Sequence, residues 1–169
     1  MALAICRILR GTVRPPAGNR LAGLGRMLEL VHESAKSIIY LPSTLGRGQA
    51  AMELYRRQGG AADSAGTRVT APGQTLADVP PAATILRVMH DVYGIDMSSN
   101  TRTQLTPRIA LGYDKLVVMA EPETIPGWLV QDSRTELWPI ADPKGKDVRE
   151  TMKIVHKIEQ RIADKGDFH

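Results

Sequence analysis

Cysteine is almost absent from this chain: Cys6 is the one copy in 169 residues. An internal disulfide and a cysteine-rich zinc site are both excluded. Aromatic residues are scarce as well, at 4%, which leaves few stacking platforms for single-stranded nucleic acid. No hydrophobic run approaches the roughly 20 apolar residues of a membrane-spanning helix. The four histidines, His32, His90, His156 and His169, have no metal-ligand spacing and read as ordinary surface or core residues. Acidic residues are missing up to Glu29, whereas Arg7, Arg10, Arg14, Arg20 and Arg26 all precede it. The net charge of +4 therefore comes from the leader, since without those five arginines 17 basic residues face 18 acidic ones. A near-neutral remainder with few aromatics argues against a nucleic-acid partner.

What is present is the composition of a folded domain, with 43% hydrophobic and 24% charged residues in a length that suits one core. Residues 1–36 read as a flexible basic N-terminal extension with a short amphipathic helix built on Leu24, Leu28, Leu30 and Val31; residues 37–166 read as the domain proper. Three origins of residues 1–26 stand open: an organelle transit peptide, a basic tail for an acidic partner or membrane surface, or sequence ahead of a later start at Met27. The expected location is cytoplasmic, or an organelle if the leader is a transit peptide.

The chain is organised around Ser37 to Tyr55. The apolar run Ile38, Ile39, Tyr40, Leu41 reads as a strand, the residues from Pro42 to Gly48 as a loop of small residues with one arginine, and Ala50, Ala51, Leu54 and Tyr55 as one face of a helix ended by Gly59 and Gly60. Backbone N–H groups and a helix N-terminus gathered in such a loop make an anion cradle, although an ordinary strand-to-helix turn has the same outline. Beyond it the pattern predicts a strand at 61–65, an irregular loop at 66–79, and a helix opened by Pro80 and Pro81 with Ile85, Leu86, Val88, Met89 and Val92 inward. A short helix follows at 106–111, a buried strand at 114–119, a broken helix at 122–131 and a strand at 134–138. The last helix carries Val148, Met152, Val155, Ile158 and Ile162 inward. Strands alternating with helices imply an α/β fold with a mostly parallel sheet covered on both faces.

Five stretches in order, Ser37 to Tyr55, Asp63-Ser64-Ala65-Gly66-Thr67, Gly94-Ile95-Asp96-Met97-Ser98, Gln104-Leu105-Thr106 with Leu116 to Met119, and Asp142-Pro143-Lys144-Gly145, resemble the low-molecular-weight protein tyrosine phosphatases. The resemblance runs from about Ser37 to about Lys165. It implies a three-layer, doubly wound, four-stranded parallel sheet with helices on both faces, and the Asp-Pro loop brought over the cradle. In that family a cysteine ends the first strand and an arginine follows six residues later. The arginine matches Arg47; the cysteine position is Leu41, whose two methyls would point to the place of phosphorus. The phosphate-binding positions are Ser43, Thr44, Leu45, Gly46, Arg47 and Gly48, and Asp142 matches the general acid.

Other positions depart from the family's pattern. Pro42 removes one N–H donor from the cradle. Gly48 stands where the family has a serine that hydrogen-bonds the thiolate. The loop-supporting asparagine, serine and histidine read here as Thr44, Ser64 and Asn100, and Lys144 and Gly145 replace the aromatic residues that grip a phosphotyrosine ring. Ser43 and Thr44 are hydroxyls of the right type for a nucleophile, but no histidine base lies near them in sequence.

The reading is therefore an inactive phosphatase homologue, a pseudophosphatase, that binds an anion, a phosphorylated ligand such as a phosphotyrosine protein, or another protein partner. Two alternatives remain: a phosphomonoesterase with a non-cysteine nucleophile, and a structural protein with no ligand at the loop. No metal and no cofactor are implied.

Overall fold

The structure, a computed structural model, describes residues 37–43 and 46–165. The predicted basic extension and its helix, together with Thr44 and Leu45, lie outside the described residues. Four strands form one sheet, β1 (Ile38–Leu41), β2 (Ala62–Ser64), β3 (Lys115–Val118) and β4 (Thr135–Leu137), in the order β2-β1-β3-β4. Every neighbouring pair is parallel, with Ile38 opposite Ala62 and Lys115, and Leu116 opposite Thr135. The fold class predicted from the sequence is the one present.

The helices are α1 (Arg47–Arg57), α2 (Ala83–Tyr93), α3 (Pro107–Ala110), α4 (Gly127–Val130) and α5 (Val148–Asp164), with single 3-10 turns at Pro80–Ala82 and Pro122–Thr124. Alternation along β1 and β3 divides the core. Ile38, Tyr40, Val117 and Met119 pack with residues of α1, α2 and α5. Ile39, Leu41, Leu116 and Val118 pack on the other face with Ala110 of α3 and Leu129 of α4. Both faces of these strands are covered, so their sequences are continuous apolar runs rather than alternating ones. Among the described residues, no helix is long and apolar enough to cross a membrane.

Two inward residues were misplaced by the pattern. In α2 the stripe is buried as far as Met89, but Val92 is 51% exposed, and its neighbour Tyr93 is the last-turn residue that packs against the core. In α5 the buried stripe is Thr151, Ile154, Val155, Ile158 and Ile162. Met152, one position and about 100° around from Thr151, is 40% exposed.

The sheet order sets the place of the site. After β1 the chain turns outward to β2; after β2 it returns past β1 to β3 and then moves to β4. The C-terminal ends of β1 and β3 therefore diverge at a topological switch point, where open α/β sheets form their crevice.

The far end of α5 is tied to β4 through Glu136, whose carboxylate takes Lys115 Nζ at 2.7 Å, Lys165 Nζ at 2.9 Å and Trp138 Nε1 at 2.9 Å. Burial raises the pKa of Glu136, but the hydrogen bonds from Lys115, Lys165 and Trp138 outweigh it and bring it from 4.5 to about 2. A depressed carboxyl pKa stabilises the fold above its unfolded value and ceases to do so as pH falls through the folded one. Glu136→Gln is accordingly expected to lower the melting temperature at pH 7 by about 2–4 °C, an effect of about 1 kcal/mol. In melts taken between pH 7 and pH 2, the gap from wild type should close below pH 4.5.

Candidate functional site

The loop after β1 is pinned from two sides. Met119 N–H donates to Leu41 O at 2.9 Å, while Thr67 and Arg68 N–H donate to Pro42 O and Ser43 O at 2.9 and 2.8 Å. The chain then reaches Gly46, the N-cap of α1, whose φ of 64° and ψ of −59° suit glycine alone. The N-cap residue is itself a glycine, so it brings no side chain to the helix start, and among the described residues the first turn of α1 holds no acid, which leaves the positive end of the helix dipole without an acidic partner in that turn.

Arg47 opens the helix and turns inward, leaving 1% of its surface exposed. Nη1 donates to Ile140 O at 2.6 Å, and Nη2 donates to Ser43 Oγ at 3.2 Å and to a carboxylate oxygen of Glu121. Its Nε is buried without a partner. Glu121 follows β3 and is reached from β1 only across the switch point. Burial raises its pKa, but hydrogen bonds from Ser43 and Arg47 outweigh that and leave it below the usual carboxylate range. Ser43 Oγ and Glu121 thus share Arg47 Nη2 as their donor. An acid beside the Ser43 hydroxyl was missing from the sequence reading, which sought only histidine.

The other predicted site residues are distributed unevenly. Leu41 is fully buried in the α3–α4 core cluster with Ile39, Leu105 and Leu129, so its methyls fill that core rather than standing in an open mouth. Asp142 lies two residues past the carbonyl that holds Arg47, half-buried, with Oδ1 accepting Lys144 N–H at 3.0 Å in a local turn. Ser64 lies beneath the start of α1. Asn100 supports the helix rather than the loop, because its amide donates to Glu53 Oε1 at 2.9 Å, farther along α1. Thr44 and Leu45 are outside the described residues. Among those described, no group of three or more His, Cys, Asp or Glu side chains could hold a metal.

Gly48 has a packing reason for being glycine. A Cβ there would stand 2.5 Å from Pro42 Cδ and 2.6 Å from Ser64 Oγ. The proline in the loop and the glycine in the helix therefore form a matched pair. Beside Arg47 a cavity of about 590 Å³ opens between the ends of β3 and β4, walled by Val118, Glu121, Ile125, Trp138 and Ile140 and mostly apolar.

With this geometry established, the comparisons with known proteins define a class. The four-stranded parallel sheet with its covering helices is the fold shared by low-molecular-weight protein tyrosine phosphatases and arsenate reductases. The low-molecular-weight protein tyrosine phosphatase from T. tengcongensis matches with a TM-score of 0.63 at 19% identity over 76% of this chain and 95% of its own. Wzb from Vibrio vulnificus, solved in complex with benzylphosphonate, matches with a TM-score of 0.63 at 17% identity over 76% and 96%. An arsenate reductase from Archaeoglobus fulgidus matches with a TM-score of 0.56 at 20% identity over 76% and 97%. No protein-family model and no curated protein sequence matches the chain.

The matched pair gives a test. Gly48→Ser, which restores the hydroxyl of the resembled family, is expected to destabilise the protein by about 1–3 kcal/mol through overpacking. Combination with Pro42→Ala should recover part of the loss. Additive destabilisation in urea titrations of the two single variants and the double variant would contradict the pairing.

Proposed function

We propose that this chain is a non-catalytic relative of the low-molecular-weight protein tyrosine phosphatases whose loop after β1 binds a phosphate-type anion. The observation that carries the reading is Arg47 at the start of α1, buried and with Nε unpartnered, in a first turn without an acid, in a chain that has Leu41 at the nucleophile's position. A guanidinium fork and helix N–H groups are what phosphate oxygens require. Attack on phosphorus requires a lone pair, and leucine has none. Asp142 keeps the general acid's place, but without a phosphoenzyme-forming group it has no leaving group to protonate. The apolar cavity beside Arg47 takes the non-phosphate part of the ligand.

Ser43 gives the enzyme reading its one specific support, because its hydroxyl and the Glu121 carboxylate both meet Arg47 Nη2. Yet Glu121 is held below the usual carboxylate range by hydrogen bonds from Ser43 and Arg47, which makes it a poor base. The hydroxyl stays protonated and the binding role is preferred. Arsenate reduction on this fold would need several cysteines, and the chain has one.

The test uses the whole protein with inorganic phosphate and benzylphosphonate. Both are expected to raise the melting temperature, and para-nitrophenyl phosphate is expected to show no turnover. Turnover that disappears in Ser43→Ala would overturn the non-catalytic reading; the absence of any anion binding would overturn the binding one. Removing the carboxylate that competes for Arg47, with Glu121→Gln, should tighten phosphate binding several-fold in calorimetric titration.

A further inference from the structure

The second arginine near the loop, Arg102, was not singled out by any motif. It is 6% exposed, and its Nη1 donates to Gln74 Oε1 at 3.2 Å while its Nε is buried without a partner. Among the described residues it forms no ion pair, unlike Arg47, Arg56, Arg87 and Arg134. A guanidinium removed from water without a counter-charge is strongly disfavoured. It is retained only where something supplies the missing negative charge.

The surroundings say where that charge would sit. Arg102 lines a small void of about 10 Å³ together with Pro42, Gly46, Gln49, Ser64 and Gly66, residues beside the loop and the first turn of α1. Gln49 Oε1 faces the same problem as Arg102 Nε, buried and without a partner, while Gln49 Nε2 donates to Thr101 O at 3.0 Å. The void is the size of one water, large enough to join the donor to the acceptor and too small for a phosphate. The segment holding Arg102 is fixed, with Gly66 N–H donating to Thr103 O and Leu105 N–H to Gly66 O, each at 2.8 Å. Arg102 is therefore a cation set into the floor beneath the start of an eleven-residue helix, one water away from the cradle.

We propose that Arg102 is the positioning cation of the anion site: it holds the first turn of α1 through Gln49 and supplies the positive charge that Glu121 has neutralised on Arg47. The ligand class is a phosphate-type anion, and the inference rests on the binding reading given above. Arg47 then acts as the hydrogen-bonding fork and Arg102 as the uncompensated charge. The two arginines divide the work that one arginine does when no carboxylate opposes it.

The experiment is a calorimetric titration of the full chain with inorganic phosphate at constant ionic strength, for wild type, Arg102→Lys and Arg102→Gln, with circular dichroism to verify folding. Arg102→Gln is expected to weaken phosphate binding tenfold or more, and Arg102→Lys to remain within about threefold of wild type. Equal affinities in all three proteins, or equal losses in both variants, would overturn the charge role while leaving the binding reading intact. A wild type that binds no phosphate would overturn both. If Arg102→Gln does not fold, the wild-type Arg102 Nε–H resonance, assigned through Arg102→Lys, decides: it should move with phosphate along the same binding curve, and an unmoved signal rejects the proposal.

Discussion

The ion pair between Arg47 and Glu121 is the constraint on which the site depends. Its partners lie far apart in sequence and belong to different strand ends, and only the order β2-β1-β3-β4 brings them together. Once paired, they define the mouth: Ser43 is drawn in as the hydrogen-bonding link, and the carbonyl of Ile140 is drawn in from beyond β4. Three separate segments of chain are locked around one guanidinium. Removing Glu121 would leave the Arg47 guanidinium buried and uncompensated, whereas Glu121, part-exposed, would turn to solvent if Arg47 were lost.

That pair also determines what the crevice presents to solvent. A lone guanidinium at a helix start attracts any anion, whereas one already holding a carboxylate discriminates. On the binding reading proposed above, a ligand would have to offer more than Glu121 does, through additional oxygens for the helix N–H groups or through apolar bulk for the neighbouring cavity. The same pairing explains why the Ser43 hydroxyl, between a cation and an acid, is better placed to organise hydrogen bonds than to attack.

Much of the fold was legible in the sequence because the strands are buried on both faces. Runs such as Ile38 to Leu41 and Leu116 to Met119 have few alternatives to a central parallel strand, and Gly94 ends its helix in the left-handed conformation with φ of 66° as its position implied. Arg47 and Asp142 were singled out through the family resemblance, and the fold buries Arg47 at the start of α1 and leaves Asp142 two residues past the carbonyl that Arg47 binds. Glu121 was not singled out, since an acid three residues past the end of a strand carries no local mark; only the topology turns it toward Arg47. Arg102 was hidden more deeply. It lies between two threonines in a segment without periodicity, and its burial is imposed by the backbone pairing of Gly66 with that segment. Leu41 was read as an obstruction in the mouth, but β1 alternation assigns it to the core behind.

The contact of Pro42 with Gly48 has a consequence for the history of such a chain. With the proline ring in the space that a side chain at position 48 would need, no single substitution there is neutral, and the proline can be released only after its ring is no longer required to fill the gap. A lineage that reaches this state is held in it by sterics. A hydroxyl could enter at position 48 only by way of a less stable intermediate, because the Pro42 ring and the Ser64 hydroxyl both stand where its Cβ would be.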